Sequence, residues 1–293
     1  MGNQMFQYAA ARQLAILNDA QVVLDVSAFL TYKLHRFSLQ HFACGAPEAA
    51  AWEIRRLVKP TAMRTRLERL MVWRRPVINP FPADVQIIRE KGFEFDQELL
   101  QQRGSIYLDG YWQSPDYFSA IADRIRDDFQ ITTPPSPANQ EMAHQITSIN
   151  SISLHVRRGD YTSNAKTQSI HGTCSKSYYD SAIQFVCQKV PSPRFFIFSD
   201  EIEWARQNLN TPGESVFVDL NDAAHNYEDL RLMSLCKHHI IANSTFSWWG
   251  AWLGDSAGIT VAPSRWMSDT AKGPDANCIL PAHWVQLSPG GEA

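Results

Sequence analysis

The sequence predicts an α/β protein of two domains, and three observations carry that prediction. Beyond residue 138, short apolar runs alternate with stretches of helical periodicity. A proline-rich segment, Thr132-Thr133-Pro134-Pro135-Ser136-Pro137, interrupts the periodicity midway. The chain has 293 residues, enough for two units of roughly 100–200 each.

Strands alternating with helices pair in parallel through right-handed crossovers, which gives a doubly wound sheet. The predicted strands are 152–156, 195–198, 216–218, 239–242 and 259–262, and the predicted helices are 178–190, 202–208, 227–236 and 245–253. The proline segment serves as linker, so the expected domains are 1–138 and 139–293. The first reads as a second Rossmann-like α/β unit: a helix at 4–17, strands at 22–26 and 106–111, a basic segment at 55–75 and a helix at 116–129. Two such domains facing each other leave a cleft, a common place for small-molecule sites.

Composition narrows the function. Hydrophobic residues make up 44% and charged residues 19%, ordinary for a globular protein, and the net charge of −3 offers no general surface for nucleic acid or anionic lipid. No apolar run approaches the roughly 20 residues of a membrane span, and residues 1–8 lack the pattern of a signal peptide. The expectation is a cytoplasmic protein without a transmembrane segment, with peripheral contact at the inner face of the membrane left open. Five scattered cysteines, without a Cys-x-x-Cys pair, read as reduced and buried thiols.

Chemistry concentrates at strand ends. His155-Val156-Arg157-Arg158-Gly159-Asp160-Tyr161 closes the first strand of the second domain, where open α/β sheets bind ligands. Arginine offers a planar fork of donors suited to phosphate, and glycine lets the backbone turn close to a ligand. Alternation along a strand puts His155 and Arg157 on one face, which ranks Arg157 above Arg158 as the phosphate contact. The plainer reading pairs Arg158 with Asp160 as a structural ion pair. At the fourth strand, His238-His239-Ile240-Ile241-Ala242-Asn243-Ser244-Thr245-Phe246-Ser247-Trp248-Trp249-Gly250 passes from strand to helix. Asn243 or Ser244 can cap that helix, and its free N–H groups form an anion site. Adjacent His238 and His239 face opposite ways and cannot jointly hold a metal. Trp248 and Trp249 read as core more readily than as a sugar platform. Asp200, after Phe198-Ser199, suits either a ribose or guanine edge or a helix cap. Gly2-Asn3-Gln4-Met5-Phe6-Gln7-Tyr8 reads as a helix start. Nucleotide-binding glycine motifs, a His-Glu-x-x-His zinc motif and an Asp-x-Asp pair are absent from the sequence.

Together, the segments 2–8, 155–161, 198–200 and 243–251, in that order along the chain, resemble the bacterial-type α1,2-fucosyltransferases of glycosyltransferase family 11. The resemblance implies a GT-B-like pair of Rossmann-like α/β domains facing a cleft, with acceptor-side and donor-side halves. It implies GDP-fucose as co-substrate, a galactose-terminated glycan as acceptor, inversion at the anomeric carbon, no bound cofactor and no metal. By similarity to more distant fucosyltransferases, Arg157 would grip the β-phosphate, His155 or His238 would lie near the guanine, and Ser244, Thr245 and Phe246 would cradle the diphosphate. Asn3 and its neighbour Gln4 would line the donor from the opposite domain. The family pattern has a strand and Gly-Gly-Leu ahead of Gly-Asn-Gln, whereas Met1 stands next to Gly2 here, so the first sheet is expected to lack a strand.

The implied reaction puts growing negative charge on the departing GDP, which Arg157 and helix-start N–H groups would stabilise. Asp160 is the expected base for the acceptor hydroxyl, with His155 as an alternative. Rival readings are a non-catalytic sugar-nucleotide or glycan-binding protein and an α1,6-fucosyltransferase.

Overall fold

The computed structural model describes residues 1–31, 36–58, 85–159, 172–267 and 278–288, without the side chains of residues 55–58. The first half begins with helix α1 (Gly2–Leu17), which buries Met5, Phe6, Ala9, Ala10, Gln13 and Leu14 along one stripe. Asn18 ends it by returning its amide to the Leu14 carbonyl, 2.8 Å away. Helix α2 (Ala51–Val58) follows, then a parallel pair of short strands, β1 (Gln86–Arg89) and β2 (Ile106–Asp109).

Here the structure departs from expectation. Among the described residues, 22–26 form no strand and join a neighbour through the single bridge Leu24–Glu48, with Leu24 N–H donating to the Pro47 carbonyl. Apolar β-branched residues supply strand propensity, yet a strand also needs a partner along its length. The expected helix at 116–129 is interrupted. Ser114 accepts the Asp116 N–H and Pro115 opens a single 3₁₀ turn, a second turn follows at Ser119–Ile121, and only then does α3 (Ala122–Asp128) form. The expected basic segment lies outside the described residues beyond position 58.

The second half follows its periodicity. It comprises α4 (Pro137–Thr147), β3 (Ser151–Val156), α5 (Lys176–Lys189), β4 (Arg194–Ser199), α6 (Ile202–Asn208), β5 (Ser215–Val218), α7 (Asn226–Leu235), β6 (His238–Ile240), α8 (Thr245–Trp252), β7 (Thr260–Pro263) and β8 (Val285–Leu287). All six strands run parallel in the order β5-β4-β3-β6-β7-β8, the Rossmann order, with the reversal between β3 and β6. Two elements were not expected. Helix α4 starts inside the predicted linker, because Ser136 caps it by accepting the Asn139 N–H and Pro137 occupies the first helical position, where proline is favoured. Strand β8 is a three-residue edge strand. Among the described residues, no helix is long and apolar enough to cross a membrane.

The halves do more than face each other across a cleft, since one apolar core runs through α1, α3 and α8. Phe6 packs against Trp248 and Trp249 at ring separations of 4.6 and 4.9 Å, and Phe118 stacks on Trp249 at 5.4 Å. Both tryptophans are fully buried, as the core reading of them requires. Their ring N–H groups donate to main chain, Trp248 to Ile279 and Trp249 to Gly2 at 3.1 Å. On the other side of α1, Tyr8 and Arg12 both donate to Asp128, fixing α1 on α3.

Phe6 is the apolar hinge pin of this arrangement. Phe6→Ala is expected to cost about 3–5 kcal/mol, as core phenylalanines typically do. In urea this appears as a lowered midpoint at unchanged slope. A shift below about 1 kcal/mol would show that the shared core does not hold the halves together.

Candidate active site

In open α/β sheets, ligands collect beyond the carboxyl ends of strands at the point where strand order reverses. Here that point lies between β3, which leads into Arg157, and β6, which leads through Asn243 and Ser244 into α8. The two sides touch, because the His155 and Phe246 rings lie 5.7 Å apart. Ser244 is the N-cap residue of α8 but makes no side-chain cap, so the first N–H groups of that helix lack intrahelical acceptors.

The start of α1 sits against the start of α8. A Cβ at Gly2 would fall 2.5 Å from the Thr245 carbonyl carbon, so the two backbones approach at a distance only glycine permits. Asn3 joins them: its Oδ1 accepts from the Thr245 hydroxyl and from the Gln113 amide, each at 2.9 Å. The Met1 amino group is buried within range of the Arg157 charge, and burial first, then that charge, lowers its pKa to about 6. Two helix starts and a guanidinium thus converge on one place, a favourable setting for an anion.

Arg157 and Arg158 diverge past the end of β3. Arg157 Nη1 reaches Asp200 Oδ2 at 3.1 Å. Arg158 turns away, with Nε 3.4 Å from Glu201 and its guanidinium 4.1 Å over the Trp204 ring. Among the described residues Glu201 is thus the carboxylate on Arg158, while Asp160 lies outside the described residues. Asp200 also accepts the backbone N–H of Arg158 at 2.9 Å and of Gly159 at 3.0 Å. Its carboxylate is therefore engaged with the neighbouring loop, a use the ribose or guanine reading did not foresee.

His155 is buried, and its Nδ1 has no hydrogen-bond partner among the described residues. Burial, reinforced by Arg157, lowers its pKa to about 3, so it is neutral at ordinary pH and too weakly basic for the alternative role of proton acceptor. His238 is not part of the cluster. It begins β6 level with Ile152, roughly 16 Å down the sheet from Arg157 at about 3.3 Å per residue, and its Nδ1 accepts the Ile259 N–H. Gln4 has its amide committed to the loop at 36–38, donating to the Arg36 carbonyl at 2.8 Å and accepting the Ser38 N–H at 2.9 Å. Asn243 is similarly structural, donating to the carbonyls of Gly172 and Trp266 and accepting from Cys174.

Some relevant residues gave no signal in the sequence. Gln113, Glu201 and Trp204 support Asn3 and Arg158 from distant segments, which spacing alone does not reveal. Asp229 looks like a surface charge on a helix. It is half-buried instead, and desolvation raises its pKa to about 7 although Asn221 donates to it. Among the described residues no group of three His, Cys, Asp or Glu side chains is placed to hold a metal.

Comparison with known proteins decides the family. The profile of glycosyl transferase family 11 matches residues 75–288. The chain belongs to glycosyl transferase family 11. Within it, the chain is 32% identical to an alpha-1,2-colitosyltransferase of Escherichia coli, over 98% of this chain and 96% of that protein. It is 29% identical to the O-antigen biosynthesis glycosyltransferase WbnK of Escherichia coli, over 93% and 94%. Galactoside alpha-(1,2)-fucosyltransferase 1 of Lagothrix lagotricha is 25% identical over 86% of this chain, which spans 62% of that protein. A crystal structure of POFUT1 in complex with GDP aligns with 89% of the chain at 12% identity and a TM-score of 0.40. This family 11 protein is accordingly a glycosyltransferase.

The buried histidines give its stability a pH dependence. His155 and His239 both fall to about 3, burial being the larger cause in each. A depressed histidine stabilises fully above its unfolded value near 6.5, and that contribution is lost as pH falls toward 3. Stability should therefore rise with pH across this window by up to about 1.4 kcal/mol per unit for each histidine. His239→Asn should flatten the slope of urea midpoint against pH near pH 5. An unchanged slope would mean that His239 is charged in the folded protein.

Proposed function

We propose that the chain transfers L-fucose from GDP-fucose, with inversion, to the 2-hydroxyl of a terminal β-galactose. The observation that carries this reading is the convergence of the α1 and α8 starts beside Arg157 at the reversal of strand order. A sugar nucleotide needs its diphosphate neutralised, increasingly so as the bond to the sugar breaks. A guanidinium and helix-start N–H groups supply that neutralisation without a metal. Asn3 and Thr245 would set the gap that the diphosphate enters, and Phe246 would cover one side of it.

Asp160 remains the proposed base on its sequence position, three residues after Arg157. The neutral His155 would present its Nδ1 to the donor as a hydrogen-bonding group, not as a base. A second donor reading has specific support from the colitosyltransferase relative. Colitose is fucose without its 3-hydroxyl, so the choice between them turns on one donor hydrogen bond. A site that binds that hydroxyl rejects the deoxy sugar by about 10⁴–10⁵.

The reading is tested by GDP release from each donor with a galactoside acceptor, followed by linkage analysis. A 2-linked fucosyl product is expected. Colitosyl transfer alone would reassign the donor, and saturable GDP-fucose binding without release would make the protein a binder.

Two predictions concern the diphosphate. Arg157→Ala should lose about 10²–10³ in kcat, by analogy with deletion of an oxyanion-hole donor, and Arg157→Lys should recover little because a point charge cannot reproduce the planar fork. Near wild-type kcat in Arg157→Ala would remove Arg157 from the mechanism. Excess EDTA should leave the rate unchanged, and activity lost in EDTA but restored by Mg²⁺ or Mn²⁺ would show that the diphosphate is held by a metal.

A further inference from the structure

The residue beside Arg157 that the proposed reaction does not use is Asp200. Strands β3 and β4 are paired so that Val156 stands opposite Ser199, which brings the next residues, Arg157 and Asp200, side by side just past the ladder. Backbone pairing has ended there, and the Asp200 side chain takes its place. Oδ1 accepts the Arg158 N–H at 2.9 Å, while Oδ2 accepts the Gly159 N–H at 3.0 Å and forms an ion pair with the Arg157 guanidinium, 3.1 Å from its Nη1. Three consecutive residues thus hang on one carboxylate. The loop is fitted to it closely, since a Cβ at Gly159 would lie 3.0 Å from Oδ2. Arg158 strengthens the same corner from outside, through Glu201 and Trp204.

Such an arrangement fixes both the backbone that carries Arg157 and the tip of its side chain. A guanidinium carries five N–H donors in a fixed planar fork, and the ion pair with Asp200 is made at Nη1, which anchors one edge of that fork. Orientation matters because a charge-stabilising donor acts only if it is already in place when charge develops. The geometry points to Asp200 as a positioning residue that aims Arg157 at the leaving diphosphate and does not itself bind the nucleotide. This rests on the proposed function.

The test is a double-mutant cycle on the full chain: wild type, Asp200→Asn, Arg157→Ala and the double variant, with Asp200→Glu as a conservative control. Each protein is first shown to melt cooperatively; kcat and KM for GDP-fucose and Kd for GDP are then measured. Asp200→Asn is expected to lower kcat by about 10–100-fold, the scale on which small misplacements act, with little change in KM. Asp200→Glu should recover part of the loss. In the Arg157→Ala background the same Asp200→Asn change should alter kcat by less than about twofold, because the group it positions is gone. Equal losses in both backgrounds would overturn the proposal. So would raised KM and Kd at unchanged kcat, the pattern of a direct ribose or guanine contact. A wild type that binds GDP but transfers no fucose would overturn only the functional reading. The cycle is then read on GDP affinity, where additive effects of the two substitutions still overturn the positioning role. A wild type that binds no GDP overturns both.

Discussion

The close approach of the first residues of α1 to the first residues of α8 is the constraint on which the site depends. Gly2 and Thr245 meet backbone to backbone, Trp249 donates to the Gly2 carbonyl, and Asn3 accepts from Thr245. A residue larger than glycine would push the helices apart. A smaller aromatic at position 249 would lose both the packing on Phe6 and the donor to Gly2. The aromatic core and the polar contacts therefore act together, one supplying burial and the other register.

Charge at the site is arranged as economically as the packing. The imidazole nearest Arg157 is kept neutral by burial, so the guanidinium is not reinforced by a second cationic side chain at that position. Asp200 balances part of its charge through Oδ2 while holding the loop. A nucleotide binding there would meet directed donors more than a diffuse positive field, consistent with the overall charge of −3.

Legibility of the sequence followed the range of the interactions concerned. The helices and strands after residue 150 were readable because each has its own period, and helix α6 falls on the expected residues. Helix α4 was hidden because Ser136-Pro137 was taken as linker composition, although a serine cap followed by proline also opens a helix. Residues 22–26 have the composition of a strand but only one bridge among the described residues, since pairing is decided by distant chain. The same limit applies in the site. Arg157 was placed correctly at the end of β3 by strand position alone, and its separation from Arg158 followed from alternation. The partners of Asp200 depend on the Val156–Ser199 register, and the exile of His238 depends on its pairing level with Ile152; neither register is written in local sequence. Gln4 and Asn243 look like ligand-binding amides in a motif, yet their contacts hold loops in place.

Residues 2 and 3 find their partners at 245 and 249, almost the whole length of the chain away. Contacts of such long sequence separation form late, after the loop-closure entropy between them has been overcome. During synthesis the amino-terminal helix must wait, its Phe6 face uncovered, until the segment carrying Trp248 and Trp249 has left the ribosome. The second half can assemble its own parallel sheet meanwhile. Donor-binding competence would then be among the last properties the nascent protein acquires, and the uncovered helix among its most exposed liabilities to aggregation.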